Sequence, residues 1–324
     1  MRKIIIKAIS IALVLSMIMA LSPIANVSAA SKQTTITVGK SKTLRVKGKA
    51  KWSSSNKAIA KVSSKGKVTA LKAGKVKITA KVGSKKQVFK VTVANKPDRE
   101  MLKDLIKSLN KKGASVYTKL DDARYIWDKS GKNLVSINLR SSDIIGELDL
   151  SQFKSLEIIN CYDNDISSLN VSGLTSLRKL NCSSNIISNI NLSKASSLEE
   201  LRLSGNILTS ISLKGLTKLQ YLSIGENRLR YLDLKDCKQL LEFYCSNNKL
   251  KGLEITGLNR LVNFSCSYNE LTNLSLTTLT DLEYFSCNGN QITSLNLAGL
   301  QKVYYINCSS GVVLLNYVKA TEPV

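Results

Sequence analysis

The sequence predicts a mainly β protein in two parts: a small antiparallel β-sandwich, then a parallel β solenoid with a short helical cap at its amino-terminal end. Three observations carry that prediction. Residues 33 to 94 alternate apolar and polar side chains with the period of two that half-buried strands require. From Leu156 an apolar frame returns every 21 residues, at Leu177, Leu198, Leu219, Leu240, Leu261, Leu282 and Val303. Charge divides the chain in the same way: residues 31 to 95 carry eighteen Lys or Arg and no Asp or Glu, whereas residues 134 to 324 carry seventeen of each sign.

Residues 1 to 30 set Arg2, Lys3 and Lys7 before the apolar run "ISIALVLSMIMAL" and the small residues "VSAA" ending at Ala30. That is the pattern of a secretory leader, so the mature protein is expected outside the cytoplasm. No later stretch approaches the ~18 to 20 apolar residues of a membrane span, so no transmembrane segment is expected.

Residues 31 to 96 form the sandwich, with strands expected at "TTITV", "TLRVK", "KVTAL", "KVKITAKV" and "VFKVTV" and turns at Gly66, Gly74 and Gly83. The segment "WSSSNKAIAKVSSKGKVTALKAGKVKITA", Trp52 to Ala80, resembles the bacterial immunoglobulin-like domains of the second group. Trp52, Ser54, Asn56, Ile59, Ala60, Val62, Gly66, Val68, Ala70, Gly74 and Ile78 carry the resemblance. It implies a spacer or adhesive module without catalytic residues. The lysines fall mainly at outward positions, where they also keep a surface soluble. An uncompensated charge of this size attracts polyanions, and for an exported protein the expected partner is anionic cell-wall polymer. No base-reading element is present, so no specific nucleic acid is expected.

Residues 97 to 133 read as a helical linker and cap. In "PDREMLKDLIKSLNKKG" Asp98 is the expected N-cap, Met101, Leu102, Leu105, Ile106 and Leu109 form one stripe, and Gly113 ends the helix. A second helical stretch is expected from Leu120 to Asp128, the two together covering the first rung of the solenoid.

Residues 134 to 324 are the repeat domain. An atypical rung opens at Leu134, and eight regular ones follow with the pattern L-x-x-L-x-C-x-x-N-x-L-x-x-L-x-L. This resembles the leucine-rich repeat family over residues 134 to 318, a resemblance that implies a horseshoe of parallel strands with a buried asparagine ladder. Position 6 holds Cys161, Cys182, Leu203, Ile224, Cys245, Cys266, Cys287 and Cys308. Because Leu and Ile substitute there, cysteine reads as a small buried hydrophobe. Adjacent strands lie ~4.8 Å apart, wider than the ~3.8 Å Cβ separation of a disulfide, so free thiols are expected. Position 9 holds Asn164, Asn185, Asn206, Asn227, Asn248, Asn269 and Asn290, expected to bond the backbone of the turn.

The chain has no histidine, which excludes Ser-His-Asp and Cys-His catalysis and histidine-containing zinc sites. No enzyme activity, cofactor or metal is expected. Repeats combined with immunoglobulin-like domains resemble internalin-type surface proteins, in reversed order and without an LPxTG stretch, which implies a secreted or surface binding protein held non-covalently. The alternative is a structural wall or matrix component that self-associates. Positions 3, 5, 7 and 8 of each rung are expected to face solvent on the concave side. From the fourth rung they turn aromatic, with Tyr221, Tyr244, Tyr268, Tyr284 and Tyr305 interleaved with Glu242, Asn263 and Asn307. Clustered tyrosines on successive rungs would make one patch suited to a protein or carbohydrate ligand.

Overall fold

Side-chain alternation builds the first unit. In the computed structural model, which describes residues 32–318, the chain divides into two units between Lys96 and Pro97. The expected leader lies outside the described residues. The first unit contains β1 (Lys32–Thr37), β2 (Ser41–Thr43), β3 (Lys51–Ser54), β4 (Ala60–Val62), β5 (Lys67–Ala70), β6 (Gly74–Val82) and β7 (Lys85–Ala94). They form two sheets, ordered β1-β7-β6-β3 and β2-β5-β4. Val76, Ile78 and Ala80 of β6 and Phe89, Val91 and Val93 of β7 turn inward, joining Leu44, Ala60, Val68 and Ala70 in one core. Gly66 is required at its turn. Its φ is +78°, and a Cβ there would lie 2.5 Å from the Leu44 carbonyl and 2.7 Å from the Trp52 ring.

Two expectations for this unit need correction. The sandwich is not wholly antiparallel: β1 runs parallel to β7, with Lys32 opposite Phe89. The turn at Gly39 carries the chain into the other sheet instead of closing a hairpin, so the last strand becomes the partner of the first. In "TLRVK" only Thr43 is strand; the Leu44 amide bonds the Gly66 carbonyl, and the chain then leaves the ladder toward Gly48 at φ +93°.

The second unit opens with α1 (Asp98–Lys111), β8 (Tyr125–Trp127), β9 (Leu134–Asn138), β10 (Ile145–Asp149), β11 (Ile158–Asn160) and β12 (Asp165–Asn170). It continues with β13 (Lys179–Asn181), β14 (Glu200–Arg202), β15 (Tyr221–Ser223), β16 (Glu242–Tyr244), β17 (Asn263–Ser265), β18 (Tyr284–Ser286), β19 (Ser294–Asn296), β20 (Tyr305–Asn307) and β21 (Val313–Leu315). Ten of these make one sheet, ordered β20-β18-β17-β16-β15-β14-β13-β11-β9-β8. From β9 to β20 every neighbour is parallel, and equivalent rung positions face each other.

The cap corrects two further expectations. Leu120 to Asp128 is not a helix: after a turn, Tyr125–Trp127 pairs antiparallel with β9. Tyr125 is buried, Ile126 exposed and Trp127 half-buried, a strand period over three residues. The Tyr125 hydroxyl donates to the Tyr117 carbonyl at 2.6 Å, and Trp127 Nε1 donates to the Leu120 carbonyl at 2.9 Å, fixing both rings. Asp98 is the first helical residue and Pro97 the N-cap. The Asp98 carboxylate instead accepts the Leu134 amide at 2.8 Å, tying the helix to the first rung. Leu102, Ile106 and Leu109 are buried in a core that continues to Val303.

A candidate ligand-binding face on the rung strands

Each regular rung strand is three residues long, so only positions 3 and 5 can share the face opposite the core. Position 4 is the inward residue. Here Phe243, Phe264 and Phe285 succeed the leucines, with centroids 5.4 Å and 5.5 Å apart between neighbours. This phenylalanine stack lies beneath the tyrosine-bearing rungs and was readable from "EFY", "NFS" and "YFS".

The turn after each strand is held by the asparagines. Asn227 Nδ2 donates to the carbonyls of Leu203 at 3.0 Å and Ile224 at 3.2 Å, while its Oδ1 accepts the Leu208 amide at 2.9 Å. The same bridge between rungs recurs at Asn185, Asn206, Asn248 and Asn269, all buried. Position 8 takes a left-handed backbone, with φ of 60° at Asp163, 51° at Glu226, 58° at Asn247 and 55° at Tyr268.

The expected patch of five tyrosines therefore divides. Tyr268 does not stand on the strand face: β17 ends at Ser265, and Tyr268 occupies the left-handed turn position with its ring across Gly289. The positions 7 and 8 that the sequence reading placed on the concave face belong to this turn. The other four form two pairs. Tyr284 and Tyr305 are directly opposed at position 3 of adjacent strands and stack at 4.5 Å with planes 3° apart. The rings stack because strand spacing of ~4.8 Å already approximates stacking distance. Tyr221 and Tyr244 sit diagonally, 5.7 Å apart and tilted by 48°. Glu242 and Asn263 lie between the pairs in the position 3 column, and Asn307 stands opposite Ser286 beside the stacked pair.

The first pair is held by ionic neighbours. Arg202 lies over the Tyr221 ring at 3.9 Å, donates to its hydroxyl at 2.9 Å, and pairs with Glu200 at 2.6 Å; Glu200 also meets Lys179 at 3.1 Å. Burial works against the Glu200 charge, yet Arg202 and Lys179 hold its carboxyl below the usual range. The Tyr244 hydroxyl donates to Glu242 at 2.8 Å. Burial, reinforced by that bond, pushes the Tyr244 phenol well above its ordinary value. Among the described residues the Tyr284–Tyr305 pair has no such ionic tether, and Tyr305 is 41% exposed. Among the described residues, no group of three or more Cys, Asp or Glu side chains is arranged to hold a metal ion.

The fold and this face define a two-part β protein in which a sandwich precedes a solenoid of 21-residue repeats. Residues 19–93 match the bacterial Ig-like domain (group 2), and the amino-terminal unit is a domain of that kind. No match to the chain is found among curated proteins. Among solved structures, the functional domain of InlJ from Listeria monocytogenes, which includes a cysteine ladder, is 25% identical, with a TM-score of 0.42 over 57% of this chain and 51% of that one. TLR13 in complex with ssRNA13 is 22% identical, with a TM-score of 0.40 over 52% of this chain and 31% of that one. The chain thus spans about half of the first structure's length and under a third of the second's. A plant ice-binding protein is 19% identical, with a TM-score of 0.53 over 65% of this chain and 77% of that one, and shares the fold.

Proposed function

We propose that the chain is an exported, surface-associated binding protein of adhesin type. Its rung face recognises a protein or glycan, and its basic Ig-like domain associates non-covalently with anionic wall polymer. The Tyr284–Tyr305 pair carries this reading, because two rigid rings locked face to face on adjacent strands, with Tyr305 on the edge strand, hold apolar surface and two hydroxyls beside the amides of Asn263 and Asn307. Clustered tyrosines with an apolar body and a polar tip are enriched among the residues that dominate binding energy at interfaces. The absence of histidine and the burial of most thiols support a role without catalysis. No helix among the described residues is long and apolar enough to cross a membrane.

The test is a screen of the mature protein on a glycan array and on immobilised surface proteins, repeated with Tyr284→Ala/Tyr305→Ala and with Tyr244→Ala/Tyr284→Ala. Unchanged melting with at least about tenfold weaker binding of the ligand found, roughly 1.4 kcal/mol, is the expected result. Full binding by folded variants would move the site off this face. Self-association is favoured by one observation: Val313, Leu315 and Val318 are 56%, 47% and 75% exposed at and just after β21. Sedimentation velocity that shifts with protein concentration would support that role instead.

A further inference from the structure

We propose that the outer face of the sheet β1-β7-β6-β3 carries a binding site for a polymer of repeated phosphate groups, centred on Lys75, Lys77 and Lys90. The proposal rests on the reading of the basic unit as a polyanion-binding module and names the site and the chemistry. All eighteen basic residues of this unit are exposed, and none has a carboxylate neighbour within residues 32 to 95. Their arrangement is not uniform. Lys77 of β6 stands directly opposite Lys90 of β7, and Lys51, Lys81 and Lys86 form a row across β3, β6 and β7. Opposed like charges on neighbouring strands, with Cβ atoms about 5 Å apart, are destabilising. This sheet tolerates two such clusters on one face.

The first cluster borders an open hollow of about 550 Å³ lined by Gln33, Ser55, Lys75, Lys77, Lys90 and Thr92, with Val76 and Val91 between them in sequence also lining it. Three lysines thus line one hollow with two hydroxyl residues and a glutamine, and its lining contains no acidic residue. Ser55 Oγ accepts the Lys77 amide at 3.0 Å, which leaves its hydroxyl hydrogen to donate. Lysine binds phosphate as a point charge without the planar geometry of a carboxylate clamp, and the hydroxyls and the amide supply donors for the remaining oxygens. The second lysine row lies four residues further along the strands, ~13 Å at strand rise. One small anion cannot span that distance, whereas a chain with repeated phosphates can occupy both clusters and relieve both repulsions.

The experiment measures binding of long-chain inorganic polyphosphate, hyaluronate and inorganic phosphate to the full mature chain at low salt. It compares Lys75→Gln/Lys77→Gln/Lys90→Gln with a control triple on the other sheet, Lys61→Gln/Lys65→Gln/Lys67→Gln, that removes the same charge. Polyphosphate should bind far more tightly than phosphate or hyaluronate, the first triple should weaken it at least about tenfold, and the control less than about threefold. Equal losses would mean charge without a site, overturning this inference while keeping the polyanion reading. No polyphosphate binding by the wild-type chain would sink both. Equal affinity for hyaluronate would remove the phosphate assignment. Lys77→Gln alone gives a second readout: it should raise the melting temperature of the unliganded protein by removing the opposed charge while weakening polymer binding. A fall in both would make Lys77 a structural residue.

Discussion

At the scale of single residues, the structure separates two kinds of exposed-looking position that the sequence writes alike. Asn227 sits in a turn yet satisfies two rungs at once, so Asn227→Ala removes the partners of buried backbone groups on both. Chemical denaturation should give a loss of about 1 to 3 kcal/mol. Tyr268 is the opposite case. A bulky residue in the left-handed region is strained, its side chain is 56% exposed, and Asn247 fills the same position one rung earlier at φ 58°. Tyr268→Asn should leave stability within about 0.5 kcal/mol of wild type, whereas Phe264→Ala in the stack below should cost about 3 to 5 kcal/mol.

At the scale of elements, the rung explains the thiols. Six of the seven cysteines are buried and all are free. Burial pushes the Cys237 thiol up to about 12 and raises Cys245 and Cys266 as well. A thiol reagent at neutral pH should label Cys308 first in the native protein, leave the others slow, and label all seven in denaturant. Fast native labelling of Cys161 or Cys182 would contradict the packing. The rungs were legible in the sequence because every buried column must repeat when identical units stack. The face was legible only in part. Three-residue strands are too short for alternation to mark where they end, so Tyr268 read as a strand residue, although glycine at Gly205 and Gly289 in its column was the signal of a turn. Tyr125–Trp127 was misread for the same reason, since one alternation cannot be told from a helical fragment. The parallel pairing of β1 with β7 joins residues near opposite ends of their unit, and nothing local encodes it.

At the scale of the whole molecule, most of the net charge of +25 belongs to one part. Residues 31 to 95 hold +18 of it and residues 134 to 324 hold none. Polyanion binding by the intact chain should therefore fall steeply with salt because each neutralised phosphate releases counterions. Ligand binding by the rung face should change little over the same range, since its chemistry is aromatic and amide. Titrating both against salt in one preparation checks this: parallel slopes would place both activities on the basic unit.

The in-register asparagine bridges give the solenoid an arithmetic of its own. Asn206 donates to the Cys182 carbonyl and accepts the Ile187 amide, and Asn227 makes the same bonds one rung on. Excising residues 198 to 218 would hand the partners of Asn206 to Asn227 with no orphaned group, and bring Tyr221 beside Lys179. The cut would remove Glu200 and Arg202 yet leave the stacked tyrosines untouched. Recombination between repeats can thus shorten or lengthen this surface only in whole steps of ~4.8 Å, like the marks of a ruler, and each mark carries its own contact residues with it.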